Sequence, residues 1–231
     1  MPTSTAKLNE VNRLEELHTL QLLDTVAEPD FDNLALLASE ICDTPVALIS
    51  LVDQDRVWFK SRVGFADAYA RRTQSICSRA IADVEPLVVE DAGADPRFQN
   101  LEVVLAPQGV RFYAGVPLVL ASGAALGCLC VIDHTPRTLS SKQLNSLKRL
   151  AGQVVALIEA RRAQLRMLAQ EKNRLETEQR LNFALDAADI GDWDMDLRTN
   201  VARRSLLHDQ CFGYTEPVPV WGYDTYLAHI F

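Results

Sequence analysis

Cys77, in the stretch SICSRAI, and the pair Cys128 and Cys130, in LGCLCVI, pose the chemical question of this chain: nucleophile, ligand anchor or packing. A thiol becomes a useful thiolate only beside a base, a cation or a metal. No histidine, second cysteine or acid stands next to Cys77 in its own stretch. The expectation is therefore a core thiol that titrates at or above the roughly 8.5 of a free cysteine. Cys128 and Cys130, two apart on a strand, point to one face, which invites a metal or redox reading. Their Cα separation of roughly 6.5 Å lies near the upper limit for a disulfide, so core packing is preferred there too. The five cysteines form an odd set without C-x-x-C spacing. They predict no disulfide, no metal site and no cofactor.

The chain that must position these thiols has 231 residues, 48% of them hydrophobic, enough to bury a substantial core in one large or two small domains. Its apolar runs, such as VALISLV and LGCLCVI, are far below the roughly 20 residues of a spanning helix, and MPTSTAKLNE lacks a signal-peptide apolar region. A cytoplasmic protein with no membrane partner is expected. A formal net charge of -8 argues against nucleic-acid binding, which clustered lysines and arginines would carry.

Leucine recurs at helical spacing from Leu8 and Val11 to Leu14 and Leu17, predicting a helix that ends near Asp24. FDNLALLASEICDT predicts a second, with Phe31, Leu34, Ala38 and Ile41 on its inward face. VALISLVDQDRVWFKSRVG reads as a β-hairpin around Asp53-Gln54-Asp55. LVVEDAGADPRF reads as a strand and then a helix start with Asp95 as cap and Pro96 at the first position. Two more strands flank Ala121-Ser122-Gly123. From Leu139 onward one long helix follows, whose Leu144, Leu147, Ala151, Val154, Ile158, Arg161, Leu165, Leu168, Lys172, Leu175 and Gln179 keep heptad spacing. A parallel homodimer through Ile158, Leu165, Leu168 and Leu175 is expected, with Arg161, Lys172 and Gln179 weakening the seam. The alternative is a helix whose first half covers its own domain and whose second half is a solvated spacer.

The order of LVDQDRVWFKSRVG, SICSRAI, VVEDAGADPRF, FYAGVPL and LGCLCVIDH resembles the GAF family of sensory domains over residues 8 to 160. That resemblance implies an α+β fold: a six-stranded antiparallel sheet flanked by helices, with a ligand-sized cavity and a long connector helix. Residues 181 to 231 resemble the first half of a PAS domain, with strands GDWDMDL and VARRSLL around the turn Arg198-Thr199-Asn200. The expected domains are 1–160 (GAF), 161–181 (coiled-coil linker) and 182–231 (an incomplete PAS segment in which Trp193, Phe212, Tyr214, Trp221 and Phe231 lack a complete core). Proteins joining such modules are usually sensor histidine kinases or diguanylate cyclases.

Within the GAF resemblance the candidate ligand-binding residues are Trp58, Lys60, Cys77, Arg111 and Tyr113. Lys60 and Arg111 would suit a carboxylate or phosphate; the alternative for both is an ion pair with Asp53, Asp55 or Asp133. The family's cyclic-nucleotide set of Asn, Lys, Phe, Asp and Glu cannot be assembled in order. Cys77 has no adjacent histidine for a bilin, and His18, His134, His208 and His229 stand in helix or loop contexts unsuited to haem. The expectation is a cytoplasmic sensory input module without catalytic residues, binding an unidentified small molecule or partner and signalling through a dimeric helix. Two rivals are a thiol-dependent reductase similar to the free methionine sulfoxide reductases and a structural dimerisation module with an empty cavity. The reductase nucleophile belongs before the VPL strand, where NLEVVLAPQGVRFYAG carries no cysteine.

Overall fold

The computed structural model describes residues 4–199, 201–219 and 221–229, with side chains from Asn9 onward; the side chain of Leu8, the turn residue Asn200 and Phe231 lie outside the described residues. The chain divides into two units, Met1–Leu165 and Arg166–Phe231. In the first, helices α1 (Ser4–Thr19) and α2 (Pro29–Cys42) precede the hairpin β1 (Val46–Val52) and β2 (Arg56–Val63). Next come β3 (Tyr69–Arg71), α3 (Ile76–Ala80), β4 (Leu87–Val89), α4 (Glu102–Leu105), β5 (Phe112–Val119), β6 (Ala125–Asp133) and helix α5 (Ser141–Ala187). The six strands pair antiparallel in the order β3-β2-β1-β6-β5-β4, the α+β sheet that the strand pattern and the family resemblance anticipate.

Every residue of β1 and of β6 is buried, so this sheet must be covered on both faces. Helices cover one face: Ala47, Ile49, Leu129 and Val131 pack with Leu17 of α1, Phe31 of α2 and Val154 of α5. The other face carries Leu48, Phe59, Tyr113, Cys128, Cys130 and Ile132, closed by α3, α4 and their loops. Burial of this apolar surface, worth about 25 cal/mol per Å², is what gives these short helices their place.

Several boundaries differ from the sequence expectation. Helix α1 stops at Thr19, because Gln21 and Asp24 adopt positive φ of 50° and 59° and turn the chain so that Leu20 and Leu22 reach the core. The inward stripe of α2 is Phe31, Ala35, Ala38 and Cys42; Ile41 is exposed, since small residues at 35 and 38 are what allow close approach to the sheet. Asp95 and Pro96 form a turn instead of starting a helix: the Asp95 carboxylate accepts the Arg97 amide at 2.9 Å and pairs with its guanidinium. The short helix comes later, as α4.

Ile158, expected in a dimer seam, is fully buried in the chain's own core with Leu147, Ala151 and Val154. Arg161 is not a seam defect either. Its guanidinium donates to the Leu20 and Gln21 carbonyls at 3.0 Å each and pairs with Glu28 at 3.2 Å, tying α5 to the segment after α1. Beyond that point the leucines of the stripe face outward: Leu168 is 60% and Leu175 46% exposed.

In the second unit β7 (Trp193–Asp196) pairs with β8 (Val201–Arg204), followed by α6 (Leu206–Cys211) and α7 (Tyr223–Leu227). Of the aromatic residues here, Trp221 finds cover. Trp221 is buried against His208 and His229, with the Arg204 guanidinium over its ring, and Arg204 in turn pairs with the buried Asp209 at 2.6 Å. Trp193 and Tyr214 stay partly exposed. Among the described residues no helix is long and apolar enough to cross a membrane.

A charge cluster at Glu10 helps to hold the N-terminal helix. Glu10 accepts two bonds from Arg13 at 2.8 Å and pairs with Arg72 at 2.7 Å, while the buried Arg13 reaches the Val52 carbonyl at 2.7 Å. Hydrogen bonding to Arg13, aided by Arg72, lowers the Glu10 carboxyl to about 2 from 4.5. A carboxyl depressed on folding adds stability that is present above the unfolded value and lost as the pH falls through the folded one. Glu10→Gln should therefore cost on the order of 1 kcal/mol at pH 7, given its partial exposure. In urea titrations across pH, its deficit against the unaltered chain should shrink between pH 4.5 and 2. A deficit independent of pH would assign the loss to packing.

Candidate functional site

On the sheet face away from α1 and α2, a β-bulge decides which side chains meet. In the β5–β6 pairing Pro117 faces Cys128 and Val119 faces Ala125, so β6 carries one extra residue around Gly127. A Cβ at Gly127 would lie 1.8 Å from the Ser50 carbonyl oxygen, so only glycine admits this approach of β6 to β1. Past the bulge Cys128, Cys130 and Ile132 all face the cavity side. Helix α3 lies over them and brings Cys77 down from above.

The result is a cluster of soft polar groups. Cys77 Sγ lies 3.8 Å from Cys130 Sγ, and the Tyr113 hydroxyl 3.5 Å from Cys77 Sγ and 3.2 Å from Cys128 Sγ. Below them the Ser50 hydroxyl sits 3.1 Å from Cys128 Sγ and 3.0 Å from the Cys128 carbonyl. All five are buried. Cys77, with no thiol beside it in its own stretch, gains two from the fold, on strand β6.

Hydrogen bonds from Cys128 and Cys130 pull the Cys77 thiol well below the ordinary cysteine range against the opposing effect of burial. Bonding to Cys128 and to Cys77, with burial, holds Cys130 well above it. The three thiols titrate as one coupled group, in which charge on Cys77 opposes charge on its neighbours. The cysteine on α2 behaves differently: burial pushes the isolated Cys42 thiol up to about 11.

The five residues expected to bind a ligand do not form one site. Cys77 and Tyr113 line a cavity of about 40 Å³ together with Leu48, Phe59, Phe65 and Val110. Trp58 and Lys60 project from the opposite face of β2, where they border a separate depression of about 420 Å³ with Asp24 and Asp32. The reason is strand parity: Phe59, between them, takes the cavity side. The Lys60 ammonium is committed to Glu28 at 2.6 Å, Thr25 at 2.8 Å and the Val26 carbonyl at 2.9 Å, a structural role with a different partner from the aspartates expected. Arg111 is exposed at the start of β5 with its guanidinium beside Gly93. Asp133, the partner expected for it, instead pairs with Arg137 at 2.6 Å.

Comparison with known proteins places this geometry in a family. The GAF domain model matches residues 27–158, more than half of the chain, and the chain belongs to that family. A cyclic di-GMP phosphodiesterase of Pseudomonas aeruginosa is 36% identical over 156 residues, which are 67% of this chain and 27% of that protein. The chain thus spans about a quarter of the length of that curated relative. Among solved structures, the GAF domain of an Acinetobacter phosphoenolpyruvate-protein phosphotransferase superposes with a TM-score of 0.51 at 18% identity, covering 67% of this chain and 95% of that one. At that identity the likeness shows the fold.

Tyr113 depends on Gly115. A Cβ at Gly115 would meet the Tyr113 hydroxyl at 2.3 Å and its ring carbon at 2.7 Å. Gly115→Ala should cost about 1–3 kcal/mol in urea denaturation by overpacking. The cost should fall in a Tyr113→Phe background, which removes the nearest atom, and an equal cost in both backgrounds would place the strain elsewhere.

Proposed function

We propose that this chain is the input region of a signalling protein, in which occupancy of the GAF cavity biases the packing of paired α5 helices. The supporting observation is α5 itself: one helix without a break whose Leu147 to Ile158 stripe builds the sheet's core and whose Leu168 and Leu175 are left exposed. A helix rooted on one face of the sheet whose other face lines the cavity carries any shift of that sheet along its length. A ligand moves such an equilibrium only by its differential affinity for the two packings. The second unit, in this reading, is a PAS-type segment on the relay path.

The output that reads the relay is cyclic di-GMP turnover, carried by a domain beyond this chain. The 36% identity with a cyclic di-GMP phosphodiesterase supports that choice over histidine phosphotransfer. The chain itself is regulatory and non-catalytic: the cavity residues are apolar apart from Gln74, Ser75, Cys77 and Tyr113, and they include no acid–base pair of the kind hydrolysis needs. The cavity also limits its occupant. A space of about 40 Å³ admits a few atoms, whereas drug-sized ligands occupy roughly 300–1,000 Å³.

Leu168→Glu with Leu175→Glu tests the relay. Each apolar seam residue contributes on the order of 1.5–3 kcal/mol when buried on both chains, and Lys172 already stands between these two. Sedimentation velocity over a concentration series should show the variant dissociating at least tenfold more readily than the unaltered chain, with an unchanged circular dichroism spectrum. An association constant that does not change would mean that this stripe is not the interface.

A further inference from the structure

The thiol cluster has the dimensions of a metal site. A tetrahedral zinc ion, with bonds of about 2.3 Å to sulfur and about 2.0 Å to oxygen, spaces its ligands about 3.8 Å apart for two sulfurs and about 3.5 Å for a sulfur and an oxygen. Cys77 and Cys130 present the first edge at 3.8 Å, and the Tyr113 hydroxyl the second at 3.5 Å and 3.2 Å. All three sulfurs lie within 4.8 Å of one another. A second observation points the same way. Tyr113 is 1% exposed, and among the described residues its hydroxyl bonds to sulfur alone, a weak partner for a group that normally finds oxygen or nitrogen when buried.

We propose that Cys77, Cys128 and Cys130 bind one zinc-class divalent cation as thiolates, with the Tyr113 hydroxyl as fourth ligand. Three thiol protons pass to solvent as the ion enters, so binding weakens as the pH falls. Charge selects the ion: three thiolates leave a net charge of -1 around a divalent cation and -2 around cuprous copper, and no lysine, arginine or histidine lines the cavity to offset the larger value. The ligands come from rigid strands and from α3, so an ion there fastens α3 to the sheet. Ser50, 3.1 Å from Cys128 Sγ, supports the sulfur from behind. The site deepens the sensory reading at the same cavity, but its test is separate, because a metal spectrum reports the ligand set and sedimentation reports the relay.

The test is a cobalt titration of the full chain, reduced and stripped with chelator in oxygen-free buffer. One equivalent of Co²⁺ should produce the visible bands of a tetrahedral cobalt–thiolate centre, and one equivalent of Zn²⁺ should abolish them and raise the thermal midpoint. Cys77→Ser and Cys130→Ser should each lose more than the 10- to 100-fold in cobalt affinity that removing an outer-shell partner typically costs. Cys211→Ser, at an exposed position, should bind as before. Tyr113→Phe should keep the thiolate charge-transfer band and change the visible bands; an identical spectrum would remove the tyrosine from the ligand set. No bands from the unaltered chain, with all five thiols counted as free in denaturant, would overturn the proposal. So would bands that survive Cys77→Ser, or isolation of the chain with Cys77 and Cys130 already joined as a disulfide. Should a serine variant fail to fold, the titration of the unaltered chain decides alone.

Discussion

The two central strands are buried on both faces, and the rest of the molecule follows from that. Each polar atom on β1 and β6 must be satisfied inside the protein, because an unpaired buried group costs about 1–3 kcal/mol. Ser50 spends its hydroxyl on β6, beside the glycine that lets the two strands close. Asp133, at the end of β6, takes the Thr135 amide at 3.0 Å and the Arg137 guanidinium at 2.6 Å. Cys128 turns to Ser50 and Tyr113, and Cys130 to Cys77. The candidate site is thus the place where a two-sided sheet gathers its remaining polar groups.

The same demand explains the connector. A sheet face lined by Ala47, Ile49 and Leu129 needs more cover than α1 and α2 supply, and the first third of α5 provides it. Heptad spacing in the sequence could not separate that cover from a dimer seam, since both require an apolar residue every three or four positions. The residue that marks the changeover is Arg161. Read as a seam defect, it is the clamp that ends the domain, and its partners, two backbone carbonyls after α1, are invisible to any pattern of side chains.

The sheet itself was legible in the sequence, because VALISLV, RVWFKSRV and the strands around Ala121-Ser122-Gly123 announce their period and their turns. Helix boundaries were less so. Positive φ at Gln21 and Asp24 and the Asx turn at Asp95 are local choices that propensity does not force. The site was half legible. Two cysteines two apart on a strand share a face from the pleat alone, but the bulge at Gly127 decides which face, and only the placement of α3 brings in Cys77. Trp58 and Lys60 were assigned to the wrong face for the same reason: parity along β2 was not anchored to a known neighbour.

The central claim is that α5 changes role along its length, core cover first and intermolecular relay second. Amide hydrogen exchange on the full chain, followed by mass spectrometry over a hundredfold range of protein concentration, measures that directly. Protection of residues 144–158 should match the most stable amides of the sheet and stay constant with concentration, whereas protection of residues 166–185 should rise as the chain associates. Protection of residues 166–185 that is the same at every concentration would contradict the account.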